Sequence, residues 1–193
     1  MKGYIYIASA FQSLNSCGCT KGNQIDINPH IWSSPYTWGI CRPDLRNCIN
    51  PGDYVFYVFG STADYPQTIF AYIKVAKVIT HLEAFKEFRS KRMTSDKNPN
   101  GNIIVDYAGD YNKYDGGVHK YNFNKIKSYY AVADKKFSRK LTENEIIIKA
   151  KSFILILREV FSKDGDRPIH FISRKGRKLN EDQINIILKW LNK

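Results

Sequence analysis

The chain has 193 residues, 43% hydrophobic and 14% aromatic, which is enough to bury a core and excludes a disordered chain. Lys and Arg number 30 against 18 acids, for a formal net charge of +12. Residues 1–75 hold five basic and four acidic residues, so the remaining 118 carry 25 minus 14, or +11. No apolar run approaches the roughly 18 residues that cross a bilayer. The sequence opens directly in "KGYIYIAS", without a leader's basic and apolar regions, so a cytoplasmic protein with no membrane partner is expected, folded as a single domain over 1–193.

"KGYIYIAS" reads as a central strand. Residues 10–37 lack periodicity and contain Gly18, Gly22, Pro29 and Pro35, a loop length that is often functional. Pro43 suits the first position of a short helix capped by Arg42. After Pro51-Gly52-Asp53, a turn, the six aromatic or branched residues 54–59 form a buried strand. "TIFAYIKVAKVIT" (68–80) is a strand long enough to need a bend or bulge, and "HLEAFKEFRSKR" (81–92) has helical spacing. "TSDKNPNG" (94–101) is a surface loop. "NIIVDY" (102–107) and "SYYAVA" (128–133) read as strands on either side of the turn-rich residues 108–122.

Thr142 and Glu145 make a capping box, and Ala150, Phe153, Ile154, Leu157 and Phe161 continue a helical face, though "SFILIL" (152–157) alone could be a strand. Asn180 caps a last helix with Gln183 in the reciprocal position, and Ile184, Ile187, Leu188 and Leu191 form its apolar stripe. Strands dominate early and helices late, which predicts an α+β fold with a mixed or barrel-like (PUA-like) β-sheet and flanking helices.

The four cysteines, at 17, 19, 41 and 48, lack the paired spacing of zinc knuckles, so reduced thiols are expected, with no metal and no cofactor. Basic residues concentrate in "KEFRSKR" (86–92), "DKKFSRK" (134–140) and "SRKGRK" (173–178). A solvated lysine-rich surface would look the same, but separated clusters of one sign favour a polyanion. Arg42 and Arg46 are one helical turn apart and are either solvated or a pair of forks for phosphate. Asp53 either stabilises its turn or orders a site. Trp32, Tyr36, Trp38, Tyr65, Tyr107, Tyr111 and Tyr114 fall in or beside loops, where flat faces can stack on a base.

For proton transfer the candidates are Asp53, Asp64, Asp106, Asp110, Asp115, His30 and His119. Among these, Asp110 and His119 lie at the two ends of the glycine-containing loop "GDYNKYDGGVH" (109–119). His81 and His170 belong to packing or surface. No P-loop, G-x-G-x-x-G, G-x-S-x-G or zinc-deaminase motif is present, which argues against nucleotide triphosphate hydrolysis and zinc deamination.

"CRPDLR" (41–46) followed by "NPGDYVFYVFGS" (50–61) resembles the core motif of the nucleotide modification associated domain family, second type. That motif runs cysteine, basic residue and proline, arginine, then Gly-Asp at a strand start. The downstream order is similar: a strand, the aromatic helix at 81–92, the Gly-Asp loop leading to His119, "AVADKKF" (131–137), and a terminal helix with tryptophan in "ILKWL" (187–191). The resemblance spans nearly the whole chain, its specific part being residues 39–61. The segment "CGCTKGNQIDINPHIW" (17–32) does not match beyond Asn28-Pro29. A weaker likeness is to PUA-like barrels of the ASCH and EVE type, which read modified or flipped bases in an aromatic pocket.

The resemblance implies a DNA-associated protein of a bacterial or phage base-modification or phage-defence system that handles a nucleotide or modified base. On that reading Arg42 and Arg46 hold phosphate, Trp38, Tyr65, Tyr107 and Tyr111 stack on the base, and Asp53 orders the site. Asp110 and His119 are the candidate catalytic pair if the protein is a nucleotide- or base-modifying enzyme instead of a reader. A third alternative is a basic protein-interaction module. The expected partner is DNA or a nucleotide, and a homodimer is compatible with the sequence.

Overall fold

The computed structural model of the chain describes residues 1–8, 19–21, 24–26, 29–31, 33–60, 66–94, 101–117, 119–173 and 175–193, with the backbone alone for 19–21 and 24–26. In chain order the elements are β1 (Gly3–Ile7), β2 (Cys19–Lys21), β3 (Gln24–Asp26), β4 (Thr37–Trp38), α1 (Pro43–Arg46), β5 (Tyr54–Val58), β6 (Ile69–Ile79) and α2 (His81–Glu87). Then follow α3 (Phe123–Ile126), β7 (Tyr130–Ala133), β8 (Arg139–Lys140), α4 (Glu143–Ala150), α5 (Phe153–Phe161), α6 (Pro168–Ile172), β9 (Arg177–Leu179) and α7 (Glu181–Leu191). The fold is α+β. Its mixed seven-stranded sheet runs β4-β7-β6-β5-β1-β9, with β8 also on β6, and is not closed into a barrel among the described residues. Of the two sheet forms expected, the mixed one is observed. β2 and β3 form a separate antiparallel pair within the segment expected to be loop.

The chain divides into two compact units: residues 1–14, 52–74 and 138–193, and residues 15–51 and 75–137. In the first unit β1 lies between β5 (parallel, Gly3↔Tyr54 to Ile7↔Val58) and β9 (antiparallel, Gly3↔Leu179). A strand with neighbours on both sides and both faces covered needs apolar side chains at every position, which is why "YVFYV" of β5 is buried throughout. The register of β5 on β6 shifts between Tyr57 and Val58. α4 and α7 start in capping boxes, Thr142/Glu145 and Asn180/Gln183. The helical face at 143–161 is broken into two helices by a turn at Lys151 and Ser152. At the far end of α7 the Lys149 ammonium donates to the carbonyl of Trp190 (2.6 Å), placing a cation at a helix C-terminus.

In the second unit β7 pairs with β4 (Thr37↔Val132) and with the later part of β6 (Ile79↔Tyr130), where the register shifts between Val75 and Lys77. The bulge expected in the long strand is therefore present. α2 begins in a third capping box, Thr80 with Glu83. Residues 102–107, expected as a strand, make only isolated bridges at Ile103 and Val105. Their amides bond elsewhere: Asn102 and Ile103 donate to Lys91 O, Ile104 to the His81 ring, and Asp106 to Asp110 O. Ile103, Ile104 and Val105 still supply the core, with Ile40, Ala84, Met93, Ile126, Tyr130 and Val132.

Candidate functional site

Most of the sequence-derived site residues with described positions lie in the second unit, starting at the turn that leads into α1. Arg42 caps this helix in the left-handed conformation (φ 57°), and its guanidinium forks onto Asp44 through Nε (2.9 Å) and Nη2 (2.7 Å). That pairing holds the Asp44 carboxyl below its ordinary value, chiefly through the arginine hydrogen bond. Arg46, one turn on, is fully buried. Its guanidinium donates to the carbonyls of Cys41 (3.1 Å), Ile40 (3.0 Å) and Tyr129. The two guanidinium groups expected to share a face thus do different things: Arg42 reaches the surface, while Arg46 ties its own turn to the start of β7.

Next to Arg46 is an interior of directed hydrogen bonds. A side chain at Gly39 would bring its Cβ within 2.4 Å of Asn102 O and 2.6 Å of the Tyr130 ring, so only glycine fits. The Gly39 carbonyl accepts from His81 Nε2 (2.7 Å), and His81 Nδ1 accepts from the amide of Ile104 (3.1 Å). Those partners require the neutral imidazole with its proton on Nε2. Burial, reinforced by the Arg46 charge, pushes the His81 pKa down to about 3, so the ring is a neutral structural bridge. Asn102 joins Thr37 (Thr37 Oγ1 to Oδ1, 3.2 Å) to the Tyr130 hydroxyl, which donates to Oδ1 (2.6 Å).

The loop that carries His119 is built on this frame. Asp106 closes a tight turn by accepting from the amides of Ala108 (2.9 Å) and Asp110 (3.0 Å), which leaves Tyr107 at its tip, 82% exposed. Asn112 is buried and accepts from the Tyr114 amide (3.0 Å), starting a 3-10 turn over Lys113–Asp115. Gly116 (φ 62°) and Gly117 (φ 83°) then reverse the chain in a conformation that disfavours side chains. The reversal returns His119 to Asp115.

His119 Nδ1 lies 2.8 Å from Asp115 Oδ1, and the His119 amide donates to Oδ2 (2.9 Å). The Tyr111 hydroxyl donates to the same Oδ2. Burial first, and then the Asp115 carboxylate, raises the Tyr111 pKa, so this hydroxyl remains a donor at neutral pH. The buried carboxylate holds the imidazole through Nδ1 and so fixes the orientation of the ring.

The partner of His119 is therefore Asp115. Asp110 is exposed, and its backbone closes the Tyr107 turn. Tyr111 packs edge-on against Phe123 (5.4 Å between ring centres), so its ring and hydroxyl both hold the loop. Trp38 is fully enclosed in β4. Asp53 belongs to the first unit, where its carboxylate is buried and accepts from the Lys2 amide (3.2 Å). Tyr65, like Trp32 and Asp64, lies outside the described residues.

Sequence reasoning passed over Tyr121, which is 83% exposed, and the exposed lysines 113, 120 and 125 around it. The available signal was the spacing Tyr111, Asp115, His119, at four-residue intervals. Among the described residues no cluster of His, Cys, Asp or Glu is placed to hold a metal ion, and no helix is long and apolar enough to cross a membrane. The chain matches no family model and no curated protein.

Proposed function

We propose that the chain is a DNA-associated protein that takes up a nucleotide or modified base at the loop carrying His119, within the base-modification or phage-defence setting that residues 39–61 resemble. The observation that supports this reading is the pair of exposed tyrosines, Tyr107 at 82% and Tyr121 at 83%, on either side of the Asp115–His119 pair in sequence. An exposed aromatic face gains about 1–3 kcal/mol by stacking on a base. Lys113, Lys120 and Lys125, all exposed in the same segment, suit phosphate contacts. The Arg42 fork can exchange the Asp44 carboxylate for a phosphate of similar geometry.

The fixed Asp115–His119 pair favours a second reading, a nucleotide- or base-modifying enzyme in which His119 Nε2 accepts a proton from the bound base. Both readings meet one experiment. Labelled duplex and single-stranded DNA are titrated at about 50 and 200 mM salt, where affinity is expected to fall at least tenfold. Tyr107→Ala and Tyr121→Ala should each weaken binding about 5- to 100-fold with unchanged melting. Binding insensitive to salt and to both tyrosines would remove the proposal. Mass detection on modified and unmodified nucleotides and DNA separates the two readings: in an enzyme, His119→Ala abolishes product and leaves binding nearly intact.

A further inference from the structure

We propose that Ser33 and Lys91 form a nucleophile–base pair for acyl transfer, with Ser33 Oγ attacking the carbonyl carbon of an ester or thioester and Lys91 Nζ receiving its proton. The pair lies in the second unit, and the inference is independent of the nucleotide reading. Ser33 is exposed, and its Oγ lies 2.7 Å from Lys91 Nζ. Lys91 itself is fully buried, with its ammonium nitrogen also 2.9 Å from Ser33 O and 2.9 Å from His30 Nδ1. A nucleophile within hydrogen-bond reach of a base that a third group orients is the arrangement that activates a hydroxyl.

Both ends of the pair are fixed by the backbone. His30 and Thr37 exchange hydrogen bonds (2.8 and 3.0 Å), closing the loop that presents Ser33. The Lys91 carbonyl accepts from the amides of Asn102 (3.0 Å) and Ile103 (3.1 Å). Gly101 sits so close that a Cβ there would be 2.4 Å from Lys91 O.

The partner set around Nζ is complete in either protonation state. As an ammonium, Lys91 donates to Ser33 O, Ser33 Oγ and His30 Nδ1. As a neutral amine it donates to Ser33 O and His30 Nδ1 and accepts from the Ser33 hydroxyl. The proton can cross from Oγ to Nζ without breaking any of these contacts. None of the three partners is a carboxylate, and burial pushes the Lys91 pKa down to about 8, so about a tenth is free base at pH 7 and about half at pH 8. Among the described residues His30 is the one titratable side chain bonded to Nζ, and no charged group contributes to the shift.

In the reaction the Oγ–carbon bond forms, the bond from the carbonyl carbon to the leaving alkoxide or thiolate breaks, and the proton passes from Oγ through Nζ to the leaving group. Water then attacks the acyl-serine, Nζ taking its proton and returning it to Oγ. A carbonyl centre fits better than a phosphoryl one. The base form of Lys91 is neutral, and among the described residues no other side chain hydrogen-bonds to Ser33 to offset phosphoryl charge.

The test treats the full chain with phenylmethanesulfonyl fluoride across a pH series and maps the adduct by mass spectrometry. Ser33 should be modified about 100-fold faster than the other exposed serines. Its rate should rise about tenfold per pH unit and level off near the Lys91 value of about 8. Ser33→Ala, at an exposed position, should lose the adduct. Lys91→Met, checked for folding by circular dichroism, should lose the enhanced rate, and the wild-type profile with Ser33→Ala decides the matter whether or not that variant folds. Modification of Ser33 at the rate of any other serine, a flat pH profile, or an undiminished rate in folded Lys91→Met would make the pair a loop clamp and overturn the proposal.

Discussion

In the first unit the strands bury Tyr6, Val55, Phe56, Tyr57, Phe70 and Ile73, with Asp53 and Lys149 the charged residues buried beside them. In the second, Arg46, His81, Lys91, Asn102, Asn112 and Asp115 are buried alongside Ile103, Ile104 and Val105. One interior is held mainly by apolar area, which is non-directional and tolerates reshaping. The other is held by donors matched to particular acceptors, where losing one partner leaves the other buried and unsatisfied. Such an interior is less tolerant, but it holds titratable side chains in fixed positions, as Asp115–His119 and Ser33–Lys91 both need.

The largest expected effect is a difference in tolerance to substitutions of similar size. Arg46→Met removes the donors to three carbonyls and should cost about 4 kcal/mol or more in urea denaturation. Phe56→Leu, in the apolar sheet, should cost under about 1.5 kcal/mol. Equal losses would erase the distinction between the two interiors.

Acid should act next. His81 titrates at about 3 in the folded chain against 6.5 for an ordinary imidazole, so between those values the unfolded chain binds more protons. Its contribution is complete above the upper value and lost as pH falls to the lower, a change of several kcal/mol. Amide exchange followed by NMR at about pH 4 should show Ile104 losing protection before Ile5. Simultaneous loss would mean that one cooperative transition governs both interiors. The smallest effect is expected at Arg42→Gln, in the same turn as Arg46, whose partner Asp44 is 58% exposed. Thermal melting should register less than about 1 kcal/mol, and a loss comparable to that of Arg46→Met would place Arg42 within the polar frame.

The first unit was the more legible of the two in sequence, because apolar runs and caps are local signals. The buried strand at Tyr54–Val58 and the capping boxes at Thr142 and Asn180 all follow from residues a few positions apart. In the second unit the deciding partners are distant. "NIIVDY" has the composition of a strand, yet its amides go to Lys91 and His81. Lys91 stands in the basic cluster at 86–92, which reads as surface favouring a polyanion, and only the fold brings its nitrogen against Ser33. Asp110 and Asp115 were both visible as acids in the loop, but the choice between them rests on the backbone reversal at Gly116 and Gly117.

The division of the chain also bears on its synthesis. The second unit, residues 15–51 and 75–137, has all of its sequence once residue 137 has left the ribosome. The first unit does not: β1 at Gly3–Ile7 has to wait for β9 at Arg177–Leu179, and α7 comes later still. Domains acquire structure as units during translation, and contacts of long sequence separation form slowly. The polar interior can therefore close around Arg46 and His81 while β1 still has an unpaired edge. Over that interval the hydrophobic strands β1 and β5 are the part of the nascent chain that is open to a chaperone or to misassociation.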